Sequence, residues 1–162
     1  MTSRMWSCFR PFTSLKNLTI SDSSLSFPPS PPELPSVTKL SVKGKTSQSY
    51  NGLISSLPGV EYIDITTDYA EGDIARYTSA LRLTAGQKLK HIRLYGRSSW
   101  SSLSRERNRV SRETMRGLGL VIKEHTRNIQ KLHLRWVRCT DEDDLVYLTD
   151  CCRHVKEIKY VE

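Results

Sequence analysis

Six short aliphatic triplets with one internal spacing recur along the chain, and they constrain its fold more than any single residue does. They are Leu15-x-x-Leu18-x-Ile20, Val37-x-x-Leu40-x-Val42, Val60-x-x-Ile63-x-Ile65, Leu89-x-x-Ile92-x-Leu94, Ile129-x-x-Leu132-x-Leu134 and Val155-x-x-Ile158-x-Tyr160. Successive triplets start 22, 23, 29, 40 and 26 residues apart. Self-similarity at such a period marks a chain built by repeating one small unit. Strand side chains alternate, so the second and third apolar residues of each triplet face one way and the residues between them the other. One such strand cannot bury its apolar face alone, whereas six in register make a parallel ladder with a continuous aliphatic spine.

The segments between triplets must close each unit on the far side, and most read as helices. Asp73 is placed to cap a helix carrying Ile74, Tyr77, Thr78 and Leu81, with Gly86 at its end. Val110, Thr114, Leu118, Val121, Ile122 and His125 form a longer stripe. Thr140 or Asp141 opens a further helix whose first turn holds Glu142, Asp143 and Asp144, where negative charge complements the macrodipole, and whose inner side carries Leu145, Leu148 and Cys152. Leu53, Ile54 and Leu57 before Pro58 allow only one or two turns. Phe27-Pro-Pro-Ser-Pro-Pro-Glu-Leu-Pro35 cannot be helical and favours polyproline II geometry. Its Pro-x-x-Pro pairs have the form of an SH3 or WW ligand, but basic residues do not flank them closely, and an extended segment closing a short unit is the simpler reading.

Strand alternating with helix predicts an α/β solenoid, with a curved parallel sheet on the concave face and helices and extended segments on the convex face. It spans residues 15–162 in six units, after an N-terminal segment or partial repeat over 1–14, and an irregular loop is inserted at 97–109. Tyr160 is the last apolar residue of the sixth strand, so no polar capping unit covers that row, and the expectation is a terminal piece of a longer assembly.

The six triplets with their intervening helices resemble the leucine-rich repeat family from Leu15 to Val161. The last unit carries the resemblance best. Ile129-Gln-Lys-Leu-His-Leu134, followed by Thr140, Asp141, Leu145, Leu148, Cys152, Val155 and Ile158, is similar to the ribonuclease-inhibitor-like and cysteine-containing types. Val137 departs from that pattern, standing where those types carry Cys or Asn, and one interval is stretched to 40 residues. Irregular unit lengths with helical outer segments resemble the C-terminal region of animal NOD-like receptors, the NACHT-containing innate immune proteins. That resemblance implies a ligand-sensing, autoinhibitory domain that contacts an upstream ATPase module of its own chain. F-box adaptors of ubiquitin ligases carry similar repeats and give the alternative. A basic nucleic-acid-binding module is the third reading.

Composition bounds these readings. The chain of 162 residues is one domain's worth, and no apolar run approaches the length of a membrane span. The start, Met-Thr-Ser-Arg-Met-Trp-Ser-Cys-Phe-Arg-Pro, lacks an apolar signal core, which points to a cytoplasmic setting and gives the Asn17-Leu-Thr19 sequon little weight. Cys8, Cys139, Cys151 and Cys152 do not form a disulfide framework. With His154, the last three match no common zinc spacing, and Cys152 reads as a buried thiol, so no metal or other cofactor is expected.

Charge locates the candidate site. Residues 87–138 hold fourteen Lys and Arg against Glu106, Glu113 and Glu124, whereas the flanking stretches together are slightly acidic. Such a field steers acidic partners. The third, fifth and seventh positions of each triplet face outward, running from Asn17, Thr19 and Ser21 through Lys39, Ser41, Lys43, Tyr62, Asp64 and Thr66 to Glu157, Lys159 and Val161. Among them His91, Arg93, Tyr95, Lys131, His133 and Arg135, with adjacent Trp136, form the expected partner-binding patch, since aromatic and Arg side chains dominate binding hot spots. Trp100, Arg105, Arg107 and Arg109 in the inserted loop are further candidate contacts. The four histidines lack HExxH or nucleophile-elbow context and no glycine-rich phosphate loop occurs, so the expected function is non-enzymatic binding of a protein with an acidic surface.

Overall fold

The computed structural model describes residues 13–21, 32–43, 51–67, 70–84, 88–96, 106–125 and 128–161. Six strands, β1 (Asn17–Ser21), β2 (Lys39–Lys43), β3 (Tyr62–Thr67), β4 (His91–Gly96), β6 (Lys131–Arg135) and β8 (Glu157–Val161), form one parallel sheet in chain order. The two-residue strands β5 (Arg109–Val110) and β7 (Arg138–Cys139) pair separately, also in parallel. Among the described residues four helices, α1 (Asn51–Ser55), α2 (Ala70–Thr84), α3 (Arg112–His125) and α4 (Glu142–Cys151), pack each against the next.

The second and third apolar residues of each triplet lie in a strand, and the pairing aligns equivalent positions without slippage. Leu18, Leu40, Ile63, Ile92, Leu132 and Ile158 stand in one row, and Ile20, Val42, Ile65, Leu94, Leu134 and Tyr160 in the next. A slip of one residue would turn every aliphatic to the wrong face. A repeated backbone clasp fixes this register. The Lys16 carbonyl accepts from the N–H groups of Thr38 and Lys39, that of Thr38 from Glu61 and Tyr62, that of Glu61 from Lys90 and His91, and that of Lys90 from Gln130 and Lys131, all at 2.7–3.1 Å. Gln130 closes the series on Glu157 at 3.0 Å.

The two aliphatic rows and the inner sides of the helices form one core. Leu53 and Ile54 of α1, Ile74, Tyr77 and Leu81 of α2, Met115, Leu118, Val121 and Ile122 of α3 and Leu148 of α4 are buried in it. The α2 stripe is the expected one, but its start is not. The helix begins at Ala70, so Asp73 lies inside the first turn rather than at the cap, where it is buried and accepts from the Thr67 hydroxyl and, at 3.3 Å, from Arg76. Val110 likewise belongs to β5 and not to the α3 stripe, because its backbone pairs with Cys139. Asp141 is the N-cap of α4 as anticipated, its carboxylate accepting from the Asp143 N–H at 3.1 Å.

Charged side chains tie successive helices together. Glu71 on α2 reaches across to the start of α3, accepting from the Ser111 N–H at 2.6 Å, the Ser111 hydroxyl at 2.8 Å and the Thr114 hydroxyl at 2.7 Å. Burial pushes the Glu71 carboxyl up, but these bonds outweigh it and hold it below the usual range. Asp144 on α4, fully buried, faces Arg112 Nε at 3.3 Å and Arg116 Nε at 3.4 Å on α3. Both contacts are close in distance but not aligned as hydrogen bonds, so they hold by charge.

Four expectations lie outside the described residues in whole or in large part: the N-terminal segment, over 1–12, most of the polyproline run, 27–31, the helix end at Gly86 and the greater part of the inserted loop, 97–105. At the β8 end the apolar row is incomplete, with Ile158 and Tyr160 only half-buried.

Candidate functional site

On the face opposite the helices, the register builds three cross-strand rows. The first runs Asn17, Lys39, Tyr62, His91, Lys131, Glu157; the second Thr19, Ser41, Asp64, Arg93, His133, Lys159; the third Ser21, Lys43, Thr66, Tyr95, Arg135, Val161. Strands about 4.8 Å apart place these side chains within reach of their row neighbours. The rows change from small polar residues on β1 to cations and aromatics on β4 and β6, as the sequence indicates.

His91, Arg93, Tyr95, Lys131, His133 and Arg135 do share this face. Arg93 and Arg135 are exposed; the other four are half-buried. Trp136 follows β6 with φ 54°, a left-handed conformation that costs a non-glycine residue energy. Its N–H donates to Val161 at 2.6 Å, and its carbonyl lies where a Cβ on Gly96 would stand, 2.2 Å away, so only glycine fits at 96. The Arg135 guanidinium stacks over the indole ring, 4.0 Å from its centroid.

The patch is less cationic than its composition suggests. Glu157, on the last strand of the first row, accepts from Lys131 Nζ at 2.7 Å and Lys159 Nζ at 2.6 Å and lies 3.3 Å from His133 Nε2. The Lys131 and Lys159 ammonium groups pull its carboxyl down to about 2. Row position alone identifies Glu157, but its grip on two members of the patch, Lys131 and His133, and on Lys159 beside it depends on side-chain reach across β6 and β8. Desolvation, reinforced by Lys131, Arg93 and His133, lowers the His91 pKa, so this ring is neutral at neutral pH and contributes a hydrogen-bonding edge rather than a charge.

No protein-family model matches this chain, and no curated protein or solved structure is significantly similar to it. What the face can bind follows from its own side chains.

A hollow of about 410 Å³ opens on the β1–β4 half of the face, lined by Asn17, Thr38, Lys39, Tyr62, Ile63, Asp64, His91 and Arg93. Tyr62 and His91 meet edge to face across it, centroids 4.6 Å apart at 86°. Only His91 and Arg93 among these belong to the patch expected from the sequence; Lys39, Tyr62 and Asp64 stood in the outward set without being singled out. Their signal is positional, since each is a register neighbour of a patch residue or of another hollow residue.

Of the four loop candidates, Trp100 and Arg105 lie outside the described residues. Arg107 and Arg109 are exposed, but Arg109 belongs to the β5–β7 pair, so its backbone lies outside the six-stranded face. Cys151 and Cys152 are buried, and burial pushes the Cys152 thiol up to about 12. Among the described residues no three His, Cys, Asp or Glu side chains converge as metal ligands, and no helix is long and apolar enough to cross a membrane.

Proposed function

We propose that this chain is a non-enzymatic recognition domain of leucine-rich repeat type, a solenoid that captures an acidic protein surface on the exposed face of its parallel sheet. The observation that carries the reading is the in-register alignment of the three outward rows, which sets Lys39, Tyr62, His91, Arg93, Tyr95 and Arg135 side by side on one rigid support. A rigid array of aromatic and cationic side chains binds with little ordering cost. The resemblance to the sensor region of NOD-like receptors adds the finer proposal of an autoinhibitory contact with an upstream module in the same, cytoplasmic, polypeptide. A Walker-type phosphate loop encoded upstream in the same reading frame favours that role; an F-box there favours a ubiquitin-ligase adaptor.

Nucleic acid is a poorer fit. Glu157 neutralises Lys131 and Lys159, and Asp64 stands among the remaining cations, whereas phosphate backbones require runs of uncompensated charge. The Arg93→Glu, Arg135→Glu double variant tests the face itself. Both side chains are exposed, so folding measured by circular dichroism and urea titration stays as in the wild type while affinity capture of the partner is lost. Undiminished capture by a folded double variant overturns the proposal.

A further inference from the structure

The hollow differs from the rest of the face in the state of its charges. Lys131 and Lys159 are held by Glu157 and Lys90 by Glu61, but among the described residues neither Lys39 nor Arg93 forms an ion pair. Asp64 is the row neighbour of Arg93, yet makes no ion pair with it either. Tyr62 lies between the two cations, 37% exposed, its ring in perpendicular contact with that of His91. An exposed aromatic flanked by unpaired cations matches a ligand with the opposite pattern.

Spacing narrows that ligand. Lys39 and Arg93 are two strands and two residues apart, which places their Cα atoms roughly 11–12 Å from each other. A peptide in polyproline II geometry has three residues per turn and rises about 3.1 Å per residue, so side chains three residues apart share a face about 9 Å from each other, and the glutamate side chains reach the remainder. Asp64, between the cations, repels a third charge placed in the middle.

We propose that this hollow seats an acidic peptide of the form Glu-x-x-Glu in polyproline II geometry, one carboxylate on Lys39 and the other on Arg93, with an apolar side chain between them on the Tyr62–His91 pair. This rests on the recognition reading above and relocates its centre, from the β4–β6 patch to β2–β4. The neutral His91 ring leaves the middle of the seat uncharged, and Asp64 makes it selective against adjacent charges and against polyphosphate backbones.

The test uses fluorescence anisotropy of two labelled peptides, Gly-Glu-Leu-Gly-Glu-Gly and its isomer Gly-Leu-Glu-Glu-Gly-Gly, and of a short oligothymidylate. The spaced peptide binds most tightly; Lys39→Ala and Arg93→Ala each weaken it about tenfold, and Lys131→Ala changes it by less than about twofold. Asp64→Asn raises affinity for the adjacent-glutamate isomer several-fold, to near that of the spaced peptide. If Lys131→Ala weakens binding while Lys39→Ala does not, the seat is wrong and the face stands. Tighter binding of oligothymidylate, or no binding of either peptide at about millimolar concentration, overturns the seat, and partner capture by the Arg93→Glu, Arg135→Glu variant then judges the face separately.

Discussion

At the scale of single residues, position in a register row sets which side chains are neighbours, and reach decides whether they pair. Lys131 and Arg93 are both cations on adjacent strands and each has a carboxylate as row neighbour, yet Glu157 grips Lys131 at 2.7 Å whereas the shorter Asp64 forms no ion pair with Arg93. Glu157 therefore carries a pH signature. Its folded pKa of about 2 lies below the value near 4.3 of an unfolded glutamate, so the stabilisation it brings is complete above about pH 4.3 and is lost as pH falls from there through 2. Urea titrations of wild type and Glu157→Gln should differ at pH 6 and converge as the pH approaches about 2. A constant difference across that window means that the Lys131 and Lys159 contacts do not shift this carboxyl.

At the scale of elements, the helices are joined by acidic side chains that serve a neighbouring helix as well as their own. Glu71 satisfies the start of α3, and Asp144 draws Arg112 and Arg116 of α3 onto α4, where Arg116 also lies 5.2 Å from the centre of the Tyr147 ring. The Asp144 contact is asymmetric, since the carboxylate is fully buried while the two arginines are half-exposed. Removing the arginines strands a charge in the interior; removing the aspartate leaves two cations that can turn to water. Arg112→Ala with Arg116→Ala should cost about 3 kcal/mol or more in a denaturant titration, and Asp144→Ala roughly 1–2 kcal/mol. Equal costs, or the reverse order, contradict the asymmetry. The sequence shows Asp144 only as part of an acidic helix start, because the period of a helix tells which face a residue occupies but not that a neighbouring helix supplies its counter-charge. The same gap hid the true start of α2, where Asp73 reads as a cap and is instead a buried partner of Thr67.

At the scale of the whole molecule, the aliphatic triplets suffice to specify six strands, their parallel order and the face each side chain takes, because strand alternation and a conserved internal spacing leave one consistent arrangement. They do not specify the hollow, which depends on which outward side chains remain unpaired once rows from different units are aligned. In this arrangement each strand of the large sheet bonds only to those before and after it, so stability propagates through nearest neighbours. The two edges are not equivalent. Leu18 and Ile20 on β1 are 5% and 3% exposed, whereas Ile158 and Tyr160 on β8 are half-buried and Val161 is 48% exposed. Amide hydrogen exchange should therefore be slowest in β3, β4 and β6, faster in β1 and fastest in β8. Ile92→Ala, at a fully buried position in the middle of its row, should cost about 2–5 kcal/mol and accelerate exchange on both sides of β4, while Ile158→Ala costs less and leaves β1 to β4 unaffected. Uniform protection across all six strands, or loss of β1 protection in Ile158→Ala, shows instead that the sheet opens as one cooperative block.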